Sequence, residues 1–309
     1  MTTTPNRAGL VLLDKPEGLS SNRALQIVKR CFGLKKAGHG GCLDPLATGV
    51  LPIYLGEATK FCMYSLGASK SYRVTAELGR KTTTGDNEGD VLQTCPVPPI
   101  TESDLKNACQ SLTGEIQQVP PMYSALKHEG QPLYRLARKG VTVERKARSI
   151  TIEAFDVVST DLPYLTFDVR CSKGTYIRTL MEDLGELFGC GATMTALRRT
   201  QVGHFSLDQA VSLDAIKRFS EEENESGLDG CIIPCEAALS HLPRCVISRE
   251  SANRLLNGLH AELPADFPKE TPCCLYVDDY GFIGLGERHP DGCLCAKRMM
   301  SIPAVVFSS

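Results

Sequence analysis

Apolar and polar residues change rhythm many times along the 309-residue chain. GLVLLDKPEG (9–18) is an apolar block running into a polar turn, the pattern of a short buried strand. SSNRALQIVKRCFG follows, with a Ser/Asn start, apolar residues at helical spacing and a closing Gly33, which predicts a helix. Beyond the glycine-rich stretch GHGGCLDPLATG (38–49), VLPIYLG predicts a second strand and EATKFCMYSLG a helix. SKSYRVTAELGRKT (69–82) alternates Tyr72, Val74, Ala76 and Leu78 as a strand does, and GDNEGD (85–90) is a turn. TESDLKNACQSLTG (101–114) has the Thr-x-x-Asp start of a capped helix. From Pro120 to Arg148, prolines, tyrosines and bases replace the rhythm, predicting a projecting hairpin and short helix. ARSITIEAFDVV, LTFDVRCSKG and ALRRTQVGHFSL are strands, TYIRTLMEDLGELFG (175–189) an amphipathic helix, and SEEENESG a surface loop. Residues 246–309 hold one helix, RESANRLLNGL, and short strands with Gly/Asp/Pro turns, the profile of a small β-rich unit. Strands and helices mix without a regular strand–helix–strand beat, so the expected class is α+β, not a doubly wound sheet.

Composition narrows this picture. At 42% apolar residues the chain can build a real core, as one large or two ordinary domains. It has no apolar run of membrane length, and its polar start, MTTTPNRAG, is no signal peptide, so a soluble, cytoplasmic protein is expected. The 14 cysteines are scattered, several in apolar stretches (Cys31, Cys62, Cys109, Cys171), and are expected reduced and mostly buried. The pairs Cys273/Cys274 and Cys293/Cys295 invite a zinc reading. Their spacing does not match zinc knuckles, and the intervening YVDDYGFIGLG reads as a hairpin, so no metal is expected. Net charge is −2, yet charge is segregated. Seven Lys/Arg face two Asp/Glu between Lys127 and Arg148, and eight face four in residues 1–60, while acids gather in SEEENESGLDG and 261–295. Such segregation can steer a polyanion to one face.

Three segments gather candidate chemistry. The first is the loop presenting Asp44, with His39 five residues upstream. Its glycines permit positive φ or close backbone approach. The second is SKSYRV, with Tyr72; the third is SKGTYIRTL, where Gly174 precedes a helix carrying Tyr176 and Arg178 in its first turn. Each has an ordinary reading: a tight turn, a strand residue, a surface charge. Together they supply a carboxylate, an arginine that could hold it ionised, and two aromatic faces on which a base could stack.

GLVLLDKPEGLSSN, GHGGCLDPLATGVLPIYLGEATK, SKSYRV and SKGTYIRTL, in this order and at these separations, resemble the sequence blocks of the TruB-type tRNA pseudouridine synthases through roughly 9–210. The tail resembles the small PUA-type RNA-binding domain that many members carry. The resemblance implies a mixed, mainly antiparallel central sheet with flanking helices in a catalytic domain (1–245), with an RNA-gripping insertion at about 124–150 and a PUA-like domain at 246–309. It implies isomerisation of the uridine at position 55 in the T-loop of tRNA to pseudouridine. The glycosidic bond breaks, the bound uracil turns and rejoins the ribose through C5. No cofactor, metal or membrane is required. Asp44 would be the catalytic carboxylate, by attack on the sugar, attack on the base or a glycal route. Arg178 would pair with it; Tyr72 would stack on the flipped uracil and could remove a proton late in the reaction. Tyr176 and Leu197 would line the pocket, His39 its rim, and Lys15 and Pro16 would support the Asp loop. The target must leave its stack, a cost that phosphate contacts offset. Candidates for those contacts are Lys127, Arg135, Arg138, Lys139, Arg145 and Lys146. One departure is visible: the family's usual Thr is Gly40 here, which removes a hydroxyl near His39, and Cys42 is expected to be a small buried packing residue. Competing readings are an RNA-binding or tRNA-folding module without essential catalysis, a synthase for another uridine, and, weaker, a hydrolase using Asp44 as base. The chain length, insertion and tail suit the stand-alone bacterial-type enzyme better than the larger guide-RNA-dependent relatives, and an RNA-facing cleft with a tail domain leaves no obvious self-association face, so a monomer is expected.

Overall fold

The computed structural model describes residues 7–269 and 272–302. Residues 1–6, 270–271 and 303–309, which include the outer ends of both expected domain ranges, lie outside the described residues.

The first apolar block forms β1 (Gly9–Lys15). Val11 and Leu13 pack with Ala24, Leu25 and Val28 of α1 (Ser21–Cys31), while Leu10 and Leu12 face a different cluster with Phe61 and Leu239. Burial on both faces is why this strand reads as continuously apolar. Helix α1 begins where the Ser20 side chain accepts from the Arg23 N–H and ends before Gly33, which takes φ +64°. Then come β2 (Ala37–His39), β3 (Thr48–Leu55), a 3₁₀ turn (Gly56–Phe61), α2 (Cys62–Gly67) and β4 (Lys70–Leu78). The strand expected over 69–82 breaks at Gly79 (φ +80°), after which β5 (Arg80–Thr82) leaves the main sheet to pair with β6 (Val91–Thr94). Thr101 and Asp104 form a reciprocal capping box on α3 (Glu102–Ser111), and β7 (Gly114–Gln118) follows. The insertion is a small hairpin, β8 (Lys127–His128) with β9 (Gln131–Pro132), and the short α4 (Leu133–Ala137).

The chain returns through β10 (Arg148–Asp161), β11 (Tyr164–Cys171), α5 (Ile177–Leu187), β12 (Ala192–Val202), β13 (Phe205–Ser206) and β14 (Val211–Ser212). The main sheet runs β14-β1-β3-β12-β4-β11-β10-β7, with β2 beside β3 and β13 beside β12. Only β1–β14 and β3–β12 pair in parallel, so the sheet is mixed and mainly antiparallel, as expected. Leu105 of α3 and Leu180 and Leu184 of α5 bury against Val74 and Phe167.

SEEENESG is on the surface as expected, but only residues 222–224 of it are a turn between helices. Helix α6 (Leu213–Glu221) runs into it, and α7 (Glu225–Gly230) starts within it, capped by the Asn224 side chain on the Gly227 N–H. The acids are tolerated because Leu228 is buried and Arg7 pairs with both Glu225 and Asp229.

A second sheet, β15-β16-β17-β18, consists of β15 (Arg244–Val246), β16 (Cys273–Val277), β17 (Gly281–Arg288) and β18 (Leu294–Met299), with α8 (Arg249–Leu256) between its first two strands. Strand β15 straddles the expected boundary after residue 245. Ile247, Leu255, Leu275 and Ile283 form a core of its own, while Cys274 and Leu285 join the cluster around Leu10, Tyr54 and Phe61.

Strand β12 is the hinge of the site. Arg199 stands beside Gly49 of β3 on one side and Tyr72 of β4 on the other. Gly49 has φ +101°, and a Cβ there would lie 2.2 Å from the Arg199 carbonyl oxygen. Gly49→Ala should therefore cost about 1–3 kcal/mol from backbone strain alone, and more from separating β3 and β12, read as a lower urea midpoint with unchanged m.

Candidate active site

Asp44 lies in the loop between β2 and β3, and its neighbours in that loop are held by their backbones. Ser21, the first residue of α1, is buried and clamps Leu43 from both sides: its Oγ donates to the Leu43 carbonyl (2.9 Å) and accepts from the Leu43 N–H (2.7 Å). The Pro45 carbonyl accepts from the Gly18 N–H (2.9 Å) and from Lys15 Nζ (3.3 Å). Lys15 is fully buried and also donates to the Pro16 and Leu19 carbonyls, and desolvation lowers its pKa to about 8. On both sides of Asp44, Arg199 donates to backbone carbonyls: Gly41 (3.3 Å) and Cys42 (3.1 Å) before it and Val50 (2.7 Å) after it. Lys15 and Pro16 are thus at the loop, where the sequence places them. Arg199, Ser21 and Lys70, which donates to the Ser65 and Leu66 carbonyls, were not singled out from the sequence. The only cue to Arg199 was its place in ALRR.

Arg178, in the first turn of α5, is 5% exposed. Its Nη1 donates to the Thr84 carbonyl (2.8 Å) and Nη2 to the Tyr123 carbonyl (2.7 Å). Its Nε faces two carboxylates, Asp44 at 3.1 Å and Asp86 at 3.6 Å. Asp86, from the GDNEGD turn, is a second carboxylate that the sequence reading passed over; its side chain is only 3% exposed and accepts from the Thr84 hydroxyl and Glu88 N–H. Asp44 is 41% exposed, toward the open cavity. Desolvation raises the Asp44 pKa and Asp86 adds to the rise; Arg178 and Lys15 oppose without cancelling it. The sequence expectation that the arginine would leave the carboxyl more acidic holds for the pair but not for the site.

The cavity above Asp44 has a volume of about 270 Å³. Tyr72, Tyr123, Tyr176 and Leu197 line it, with Arg178 and Arg199. Tyr176 is fixed through its backbone, whose N–H donates to Gln118 Oε1 (2.8 Å) and whose carbonyl accepts from Gln118 Nε2 (3.1 Å). Burial pushes the Tyr72 hydroxyl above its ordinary pKa, with Arg199 opposing, so at neutral pH it is a phenol and not a phenolate. His39 is not among the lining residues. It sits on β2 opposite Ile53, with Nδ1 buried and unpaired and its pKa lowered by desolvation and by Arg199. Cys42 is exposed at the cavity, not buried as expected, with its carbonyl held by Arg199. The missing threonine at Gly40 has a steric reason: a Cβ there would lie 2.5 Å from Cβ of Ser65, whose hydroxyl pairs with Tyr54.

In the insertion, Lys127, Arg135, Arg138, Lys139 and Lys146 are exposed. Arg145 instead turns inward, its Nη1 on the Pro120 carbonyl (3.1 Å).

The family model for the TruB family pseudouridylate synthase N-terminal domain matches residues 29–177, and that for the tRNA pseudouridylate synthase B C-terminal domain matches 178–240. A protein of Neisseria meningitidis serogroup B named tRNA pseudouridine synthase B is 48% identical over 96% of this chain and 95% of its own length. The chain belongs to the TruB family of pseudouridylate synthases. Proteins of the same name from Coxiella burnetii (47% identical, 94% of each chain) and Pseudomonas aeruginosa (47%, covering 95% of this chain and 96% of that one) are similar throughout. A solved Cbf5–Nop10–Gar1 complex shares the fold, at a TM-score of 0.73 and 24% identity over 97% of this chain and 87% of that one.

In this TruB-family chain the two carboxylates differ in what they do for stability. Asp86 is buried and partnered, so Asp86→Ala should cost about 3 kcal/mol. Asp44 is an acid whose pKa is raised on folding; its charged form is disfavoured in the fold, and that cost is present at every pH above the folded pKa. Asp44→Asn should therefore leave stability at pH 7 unchanged or higher, and urea unfolding of the two variants side by side checks the contrast.

Proposed function

We propose that the chain isomerises uridine 55 in the T-loop of tRNA to pseudouridine, with Asp44 as the catalytic carboxylate. The observation that carries this reading is the position of Asp44 on the Arg178 guanidinium at 3.1 Å, at the cavity lined by Tyr72, Tyr176 and Leu197. The high identity to bacterial proteins named tRNA pseudouridine synthase B supports the substrate. The flipped uracil stacks on tyrosine faces, Asp44 acts at the sugar–base bond, and the base turns within the cavity before C5 rejoins the ribose. Arg178 orients the carboxylate through one nitrogen, while its other nitrogens stay fixed to backbone carbonyls. Lys15 and Pro16 hold the loop, and His39, on β2 beside it, meets the extruded nucleotide outside the cavity. Lys127, Arg135, Arg138, Lys139 and Lys146 contact T-arm phosphates; Arg145 braces the insertion. The protein works as a cytoplasmic monomer.

Tritium release from tRNA labelled as [5-³H]uridine reads the reaction, because the 5-hydrogen leaves only when the base rejoins through C5. Asp44→Asn should lose at least about 10³-fold in rate while binding tRNA as the parent does. Release that persists in Asp44→Asn would overturn the catalytic role; release from tRNA lacking uridine at position 55 would overturn the site. The acid limb of kcat/KM should lie above the ordinary carboxyl value of 3.8, since Asp44 must lose its proton and its pKa is raised. Asp86→Asn removes a charge that raises it, so the limb should move to lower pH.

A further inference from the structure

One group of side chains far from the uridine cavity has the chemistry of a metal site. His260 lies in the connector after α8; His289 and Cys293 open and close the turn between β17 and β18. One nitrogen of each ring and the Cys293 sulfur all lie within 4.8 Å of one another. His260 Nδ1 is 3.5 Å from Cys293 Sγ, and the two imidazole centroids are 4.5 Å apart. A tetrahedral zinc with ordinary Zn–S and Zn–N bonds separates sulfur from nitrogen by about 3.6 Å, so this pair already stands at ligand spacing. The scaffold is fixed by the backbone. The His289 N–H donates to the Cys293 carbonyl (2.8 Å), closing the turn, and Ala261 and Leu294 exchange hydrogen bonds of 2.9 and 3.0 Å, locking the connector beside it. Asp291 places a carboxylate oxygen 3.0 Å and its N–H 3.3 Å from Nδ1 of His289, the kind of partner that orients a ligating imidazole.

We propose that His260, His289 and Cys293 bind a zinc-class divalent cation that staples the connector to the hairpin, with a fourth position facing solvent. This runs against the absence of metal expected from cysteine spacing. Cys273 and Cys274 take no part, each buried in a different core, and Cys295 donates its thiol to the Glu287 carbonyl. The site escapes a spacing rule because His260 is 33 residues from Cys293. Two imidazoles with one thiolate suit zinc and cobalt(II) over magnesium or calcium, which prefer oxygen donors.

Cobalt(II) titration of the chelator-treated full chain tests this, because a thiolate ligand adds a sulfur-to-cobalt charge-transfer band to the tetrahedral d–d bands. One equivalent should bind with both features and be displaced by zinc. Cys293→Ser should lose the charge-transfer band, Asp291→Asn should bind about 10-fold more weakly, and zinc should raise the Tm of the parent but not of Cys293→Ser. A folded parent without a thiolate–cobalt band, or a band that survives in Cys293→Ser, would overturn the site.

Discussion

The site depends on one buried guanidinium. Arg178 has given up nearly all contact with water, and so large a desolvation is sustained only if its donors and its charge both find partners. Two backbone carbonyls, from Thr84 and Tyr123, take the terminal nitrogens, and two carboxylates share the remaining one. The four partners come from three stretches of chain, the Asp44 loop, the turn that holds Thr84 and Asp86, and the root of the insertion at Tyr123, while Arg178 itself comes from helix α5. The ion pair therefore does more than orient Asp44. It ties together the segments that enclose the cavity, and a rearrangement of any one of them would strand a buried charge.

The loop carrying Asp44 is held by a different principle. Ser21, Lys15 and Arg199 act on carbonyls and N–H groups of Gly41, Cys42, Leu43 and Pro45, leaving the Asp44 side chain with only Arg178. Backbone anchoring fixes position without consuming the functional group, and it leaves the Cys42 side chain to face the cavity. Glycine serves close approach here. Gly40 leaves room for Ser65, and Gly49 lets β3 meet the backbone of β12.

Much of this was legible in the sequence where the signal was local. The capping box of α3, the closing glycine of α1, the alternating β4 and the hairpin of the insertion follow from residues a few positions apart. Asp44, Tyr72, Tyr176 and Arg178 stood in blocks resembling a family, and the resemblance implied a place in the pocket for Leu197. What was missed depended on distance. Asp86 read as turn chemistry because nothing in GDNEGD says that a guanidinium 92 residues later will be buried against it. Arg199 looked like a strand charge, since only the β3–β12–β4 register turns it toward the Asp44 loop. The acidic run SEEENESG read as loop because its charge hid the helical spacing and the single buried Leu228.

Charge segregation acquires a physical meaning once the partners are known. The cations nearest the cavity are already committed: Arg178 to two carboxylates, and Lys15, Lys70 and Arg199 to backbone carbonyls. They shape the pocket, Arg178 and Lys15 oppose the rise of the Asp44 pKa, and all four have little left to offer a phosphate. The exposed bases of the insertion are in the opposite state, solvated and unburied, so neutralising a phosphate there requires little desolvation and releases counterions. A chain of net charge −2 thus carries local positive charge of two kinds: cations at the cavity held by carbonyls and carboxylates, and exposed bases on the insertion.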